Sequence, residues 1–398
     1  MKWSFVNLAD VLRSAEVFVD GDWVESKDQD ANGDVRLIQL ADIGDGCYIN
    51  KSSRFLTSDK AQELRCTFLE KGDVLVARMP EPLGRACIFP GDSKRSVTVV
   101  DVCIIRPNPG AHDARWLMHC LNAPISRNQI ADFATGTTRT RISRGNLTKI
   151  KIPLPPLQEQ RRIAEILDRA EELRSKRREA IAQLDTLTQA IFLEMFGDPI
   201  LNPYNFPIRK MIEIVDLERP ITYGILMPGS EQMEGVKYVR VVDMKNGGIQ
   251  LSDIRKTTPE ISYQYRRSLL KTGDLLLSIR GHVGRLATVP EELEGANITQ
   301  DTARLAIREA STVFVRECLR TTSFQQWMDK HTKGVAVRGI NLGDVKLMPI
   351  ILPPVDLQRK FAHQAETIEK LQAAHRASLS ELDAFFASLQ HRAFRGEL

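Results

Sequence analysis

The densest run of chemistry-bearing side chains is Gly136-Thr137-Thr138-Arg139-Thr140-Arg141-Ile142-Ser143-Arg144, followed by Lys149 and Lys151. Five basic residues lie between 139 and 151, with no acidic one among them. Arginine presents a planar fork of donors to a phosphate or a base edge, and the Thr and Ser hydroxyls add phosphate contacts. The second half of the chain carries a counterpart in Lys330, His331, Lys333, Gly334 and Arg338. This chemistry suits double-stranded DNA, with Thr137, Arg139, Arg141, Arg144, Lys333 and Arg338 as candidate contacts. A solvated basic loop is the plain alternative.

A second set sits in two Gly-Arg blocks. Arg78 and Arg85 in one half correspond to Arg280 and Arg285 in the other, with His282 beside them. Each block follows a strand-like apolar run among glycines or prolines, so the arginines are expected on an exposed turn where a glycine backbone can approach phosphate. A purely structural β-turn is the competing reading. Tyr223, in Thr222-Tyr223-Gly224, is a candidate aromatic contact.

Other chemistries lack their residues. No GxxxxGK[ST] loop, no GxGxxG after a strand and no HExxH is present. Asn202-Pro203-Tyr204 reads as a turn rather than an adenine-methylating motif, because the second proline is missing. The six cysteines show no ligand spacing, so no metal or cofactor is expected in this chain and no residue is assigned to catalysis. No apolar run of about 18 residues occurs, which points to a cytoplasmic chain without a membrane partner. The net charge of +4 over 398 residues is modest, so a DNA-binding role requires the positive charge to be gathered in loops.

Those loops are held by a duplicated frame. Leu154-Pro155-Pro156-Leu157-Gln158 matches Leu352-Pro353-Pro354-Val355-Asp356 at an offset of 198 residues, half the chain. Gly72-Asp73-Val74-Leu75 matches Gly273-Asp274-Leu275-Leu276, and further blocks follow at offsets between 198 and 201. Each half begins with short β-like runs and turn signals, giving mixed α/β domains at 1–152 and 198–350. Each then enters a stretch free of Gly and Pro, predicting long helices within 153–197 and 351–398 that open on Pro-Pro. Apolar residues at 3-4 spacing predict a coiled-coil seam through Ile163, Ile166, Leu173, Leu184 and Leu187 in the first helix, and Ile368, Leu371, Leu382, Phe385 and Leu389 in the second. Arg177 and His375 fall at equivalent mid-seam positions, where a polar layer fixes register unless both side chains reach out to solvent. Helices in one chain joined through a globular domain can pair antiparallel, completing an α/β fold with pseudo-two-fold internal symmetry.

The Leu-Pro-Pro-Leu-Gln-Glu-Gln segment at 154–160, the helix end Phe192-Leu193-Glu194-Met195-Phe196-Gly197-Asp198-Pro199 and the final Ala393-Phe394-Arg395-Gly396-Glu397-Leu398 resemble the specificity subunit of type I restriction-modification systems. The resemblance spans the whole chain and implies two target-recognition domains alternating with two helical spacers. It implies a non-catalytic subunit that reads a bipartite, asymmetric DNA target. Two modification subunits carrying S-adenosylmethionine would dock on the helices, and restriction subunits using ATP and Mg would join them. It implies docking through Gln158, Glu159, Gln160 and Gln358. Asp356-Leu357-Gln358 departs from Gln158-Glu159-Gln160, which weakens that transfer to the second helix. A subunit of a fused methylase-nuclease, or a coiled-coil scaffold without DNA, remain the alternatives.

Overall fold

Two uninterrupted helices, Leu157–Phe196 and Val355–Arg395, occupy the stretches without Gly or Pro. Each starts directly after a Pro-Pro pair and stops at a glycine with a left-handed backbone, Gly197 at φ +69° and Gly396 at φ +77°. A side chain is disfavoured in that conformation, so glycine is the natural stop. The computed structural model describes residues 3–136, 139–245, 247–334 and 338–398. It divides into two compact units. One holds the residues up to Arg178 together with Ala377–Leu398, the other Glu179–Arg376. Each unit therefore takes one half of each long helix.

In the first unit, Val17–Asp20, Val102–Arg106, Val74–Ala77 and Ala86–Ile88 form an antiparallel sheet in that order. Val74–Ala77 is buried throughout, because its alternate side chains serve two cores. Val74 and Val76 pack with Trp116 and Leu117, whereas Leu75 and Ala77 pack with Ile38, Phe89 and Ile104. A three-stranded sheet runs Phe55–Leu56, Val35–Ile38, Arg95–Thr98, with its last pair parallel. Ser4–Asn7 pairs with Lys151–Leu154 where the chain enters the long helix.

The second unit repeats this plan. Thr222–Tyr223, Thr302–Leu305, Leu275–Ser278 and Leu286–Thr288 form the four-stranded sheet. Arg255–Thr257, Val236–Val239 and Asn297–Ile298 form the three-stranded one, and Ile208–Lys210 pairs with Pro349–Ile351. Arg95–Thr98 and Val102–Arg106 are two strands around a turn, and the helical stretch that follows is divided into Ala114–Asn122 and Pro124–Asp132. Pro124 has no N–H for the preceding helix and begins the next one instead.

The helices pair antiparallel inside each unit. In the first, Ile163, Ala164, Leu167 and Ala170 share a core with Leu389, Ala393 and Phe394, while Arg174 Nε meets Asp383 Oδ1 at 2.7 Å. In the second, Phe192 and Phe196 stand 5.4 and 5.6 Å from Phe361, with Phe314 against both. The seam differs from the predicted one at alternate positions. Ile163, Ile368 and Leu389 are buried, and Ile166, Arg177, Leu184, His375 and Leu382 partly so. Leu173, Leu187, Leu371 and Phe385 lie outside the seam, 45–56% exposed. The helix face turned inward runs 361, 365, 368, 372 rather than 361, 364, 368, 371, so the second residue of each heptad pair is one place further on.

Candidate nucleic-acid interface

Both basic loops are closed by the same backbone device. In the second unit Lys333 and Gly339 exchange two backbone hydrogen bonds at 2.8 and 2.9 Å, and Ile340 N donates to Ile279 O at 2.9 Å. In the first unit Thr135 and Arg141 exchange two at 2.8 Å, and Ile142 N donates to Arg78 O at 3.0 Å. Each loop thus begins and ends on a fixed base beside the end of the central strand. Gly281 N, bonded to Arg338 O at 3.0 Å, ties the second loop to the Arg280 turn as well.

This arrangement gathers several predicted residues in the second unit. Tyr223, Arg280 and Lys333 line one cleft of about 660 Å³, with Leu226, Gln300, Asp301 and Asn341. Arg280 and Lys333 are exposed, and Tyr223 is half-exposed. Arg338 sits on the loop itself, 3.7 Å from Asp329 with both side chains exposed, and His282 is exposed on the adjoining turn. Arg285 belongs elsewhere. It lines a separate cleft with Lys245, Arg320 and Gln325, and donates from Nη1 to Val241 O at 3.4 Å. Leu226, Gln300 and Asn341 carry no sequence signal of their own; only their place in the fold brings them to the cleft.

In the first unit Arg139 is exposed on the loop, and Thr137 lies outside the described residues. Arg141 approaches Asp101 at 3.6 Å. Arg144 leans back on the domain, donating to Phe18 O at 3.3 Å with its guanidinium 5.6 Å from the Phe18 ring.

Two arginines expected on an exposed turn are interior instead. Arg85 is buried and donates to four main-chain oxygens: Ile43 O at 2.6 Å, Leu40 O at 2.8 Å, Pro82 O at 3.1 Å and Met79 O at 3.2 Å. Burial lowers the basicity of this guanidinium, but its donors hold the turn together. Arg78 is buried against Asp20 at 2.5 Å. Its equivalent is Ile279 rather than Arg280, since Arg78 N bonds Asp101 O just as Ile279 N bonds Asp301 O. Equivalent positions therefore hold different chemistry. Where the second unit places Tyr223, Ile279 and Arg280, the first has Asp20, Arg78 and Met79.

The glutamines expected to dock partners are also internal. Gln160 Oε1 accepts from Asp113 N at 3.0 Å and its Nε2 donates to Pro155 O at 3.0 Å. Gln358 repeats this with Ser311 N at 3.0 Å and Pro353 O at 2.8 Å. Both are buried, so each fastens a long helix to its own domain rather than facing a partner. Gln158 is exposed, and Glu159 is half-buried beside Arg162 at 3.2 Å. Among the described residues no group of three His, Cys, Asp or Glu side chains is placed to hold a metal ion, and no helix is long and apolar enough to cross a membrane.

Comparison with known proteins gives one answer throughout. Residues 1–183 match the family described as the type I restriction modification DNA specificity domain. The chain is 28% identical over 326 residues to the type I restriction enzyme EcoBI specificity subunit of Escherichia coli, covering 75% of this chain and 68% of that one. It is 26% identical over 319 residues to the EcoKI specificity subunit of Escherichia coli strain K12, covering 71% and 65%. The chain thus spans about two thirds of the length of these relatives. Among solved structures, the S subunit of a type I restriction-modification system from M. genitalium superposes with a TM-score of 0.56 at 15% identity, covering 99% of this chain and 96% of that one. A chain from a type I R-M system solved for its complex assembly gives 0.53 at 19%, covering 100% and 98%.

Proposed function

We infer that this chain is a type I restriction-modification specificity subunit and supplies the DNA sequence specificity of a larger methylating complex. Each unit reads one half of a bipartite target, and the halves differ in sequence. The observation that carries this is the duplicated loop frame with unlike side chains at equivalent positions, Tyr223 and Arg280 in one unit against Asp20 and Met79 in the other. One backbone scaffold presented twice with different donors and apolar groups suits two different base patterns. Lys333, Arg338 and Arg139, exposed on loops, supply the phosphate contacts.

The chain itself is non-catalytic. S-adenosylmethionine belongs to two modification subunits, and ATP with Mg to restriction subunits, in the cytoplasm. The modification subunits dock on the outward faces of the helices. Leu173 with Phe385 in the first unit, and Leu187 with Leu371 in the second, are exposed apolar residues in the middle stretches of the helices. Equal index sums put each pair at one level of its antiparallel helices, and 198 residues separate Leu173 from Leu371 and Leu187 from Phe385.

Mapping methylated adenines in the host genome, with and without the gene, tests the whole reading. A bipartite motif that disappears with the gene is the expected result, and an unchanged methylation pattern overturns it.

A further inference from the structure

Beside each base-reading surface, one large apolar side chain stands in solvent at the same structural position. Asp22 N donates to Thr98 O at 2.7 Å and Asp22 O accepts from Val100 N at 2.9 Å. Ile225 N donates to Ile298 O at 2.8 Å and Ile225 O accepts from Gln300 N at 3.0 Å. These matching pairs make Asp22 equivalent to Ile225, and hence Trp23 equivalent to Leu226. Trp23 is 68% exposed, Leu226 50%, and the neighbouring Met227 83%. Leu226 also lines the cleft of Tyr223, Arg280 and Lys333.

The backbone beneath these side chains is clamped. Gly21 and Gly224 precede the bonded residues and run so close to the neighbouring strand that a Cβ would lie 2.3 Å from Val99 O and 1.8 Å from Ile298 O. Bonds on both sides of Asp22 and Ile225 then fix the direction in which the next residue leaves the domain. The Trp23 indole N–H donates to Glu25 Oε1 at 3.3 Å, and Glu25 pairs with Lys27 at 2.8 Å. Its flat faces are left to a partner. Leu, Met and Pro are among the apolar side-chain types that enter base steps as wedges, and an exposed indole is a stacking platform. The second unit presents these three in sequence as Leu226-Met227-Pro228.

We propose that Trp23 in one unit and Leu226-Met227 in the other are apolar wedges that each press into a base step of the half-site their unit reads and partly unstack it. This rests on the DNA-recognition reading above and adds to it a distortion of the duplex. A step that unstacks readily accepts the wedge at less cost than a stiff one, so each unit also selects for deformable sequence beyond the bases it touches.

The test uses the full complex with its modification subunits and a duplex carrying the mapped target. 2-Aminopurine is placed in turn at positions other than the methylated adenines, because it brightens when unstacked. One position in each half-site brightens with the parent complex. Trp23→Ala abolishes the signal in one half-site alone and weakens binding on the order of ten- to hundredfold, the range for a lost base–aromatic stack. Trp23→Phe retains both signal and affinity. Replacing Leu226 and Met227 together by Ala removes the signal in the other half-site. A parent complex that selects its target with no position brightening overturns the wedge, as does brightening that survives both sets of substitutions. A parent complex that fails to distinguish target from scrambled duplex overturns the DNA reading itself.

Discussion

Arg85 and Lys333 are both basic residues on turn-forming segments, yet opposite consequences follow from their surroundings. Arg85 donates to four main-chain carbonyls from a buried position. Arg85→Met leaves Ile43 O and Met79 O without their donor, at about 1–3 kcal/mol for each one that water cannot reach, while Leu40 O keeps Ile43 N at 3.2 Å and Pro82 O keeps the Arg85 N at 3.4 Å. Relaxation of the turn recovers part of this, so a net loss of about 2–4 kcal/mol is expected. At about 2–4 °C per kcal/mol for a unit of this size, the first unit should melt roughly 10 °C lower. Arg85→Lys should recover little, because one ammonium cannot reach four carbonyls spread over Leu40, Ile43, Met79 and Pro82. Lys333 is exposed, so Lys333→Met should change stability by no more than about 0.5 kcal/mol. If it contacts phosphate, the slope of log binding constant against log salt becomes shallower by about 0.9. Scanning calorimetry and a salt titration of target binding on the assembled complex read both quantities. The assignment is refuted if Arg85→Met flattens the salt slope without lowering the melting temperature, or if Lys333→Met does the reverse.

Two further outcomes follow from the helices. Gln358→Leu removes the partners of Ser311 N and Pro353 O, so the second unit should lose about 2–3 kcal/mol. Urea unfolding of the variant checks this, and an unchanged midpoint would remove the fastening role. Replacing Leu173 and Leu371 by Ser leaves the seam intact, because both are exposed. It should weaken capture of the modification subunits in a pull-down by about tenfold, while the isolated chain melts as before.

Much of this architecture is legible in the sequence because its signals are long. Forty residues without Gly or Pro permit little except a helix, and a repeat at 198 residues announces itself in several collinear blocks. The seam register is less legible because two apolar stripes overlap on each helix. Leu173 and Leu371 satisfy a 3-4 spacing as well as the residues that are actually inward. The position used in the first helix is Arg174, whose guanidinium sits 4.3 Å from the Phe386 ring while it bonds Asp383. A charged side chain in a seam defeats any apolar count. At the proposed DNA surface, Arg78 and Arg280 look equivalent by letter, yet hydrogen bonding aligns Arg78 with Ile279. The strand before them repeats at an offset of 201, which brings Arg78 to Ile279 and leaves Arg280 one place further on, and burial then decides which arginine can meet a ligand. Trp23 and Leu226 escape sequence matching because their offset of 203 lies outside the range found for the repeat.

Because each unit borrows half of each helix, chain position and structural membership diverge, and this has a measurable consequence. Leu389, Ala393 and Phe394 lie about 40 residues beyond the end of the second globular domain, but their side chains pack in the core of the first unit with Ile163 and Leu167. Trp3 Nε1 donates to Ala393 O at 3.0 Å, so the beginning of the chain is fastened there too. Phe394→Ala removes a side chain that is 3% exposed, which in a core costs about 3–5 kcal/mol. That loss should appear in the first unit, whereas Phe361→Ala, 33 residues earlier on the same helix, should strike the second unit through Phe192, Phe196 and Phe314. Hydrogen exchange resolved along the chain separates the two. The expected result for Phe394→Ala is faster exchange in Val74–Ala77 and Val102–Arg106, with Leu275–Ser278 unaffected. Loss of protection in Leu275–Ser278 instead would refute the division of the helix between units. The covalent order would then determine stability more than the packing does.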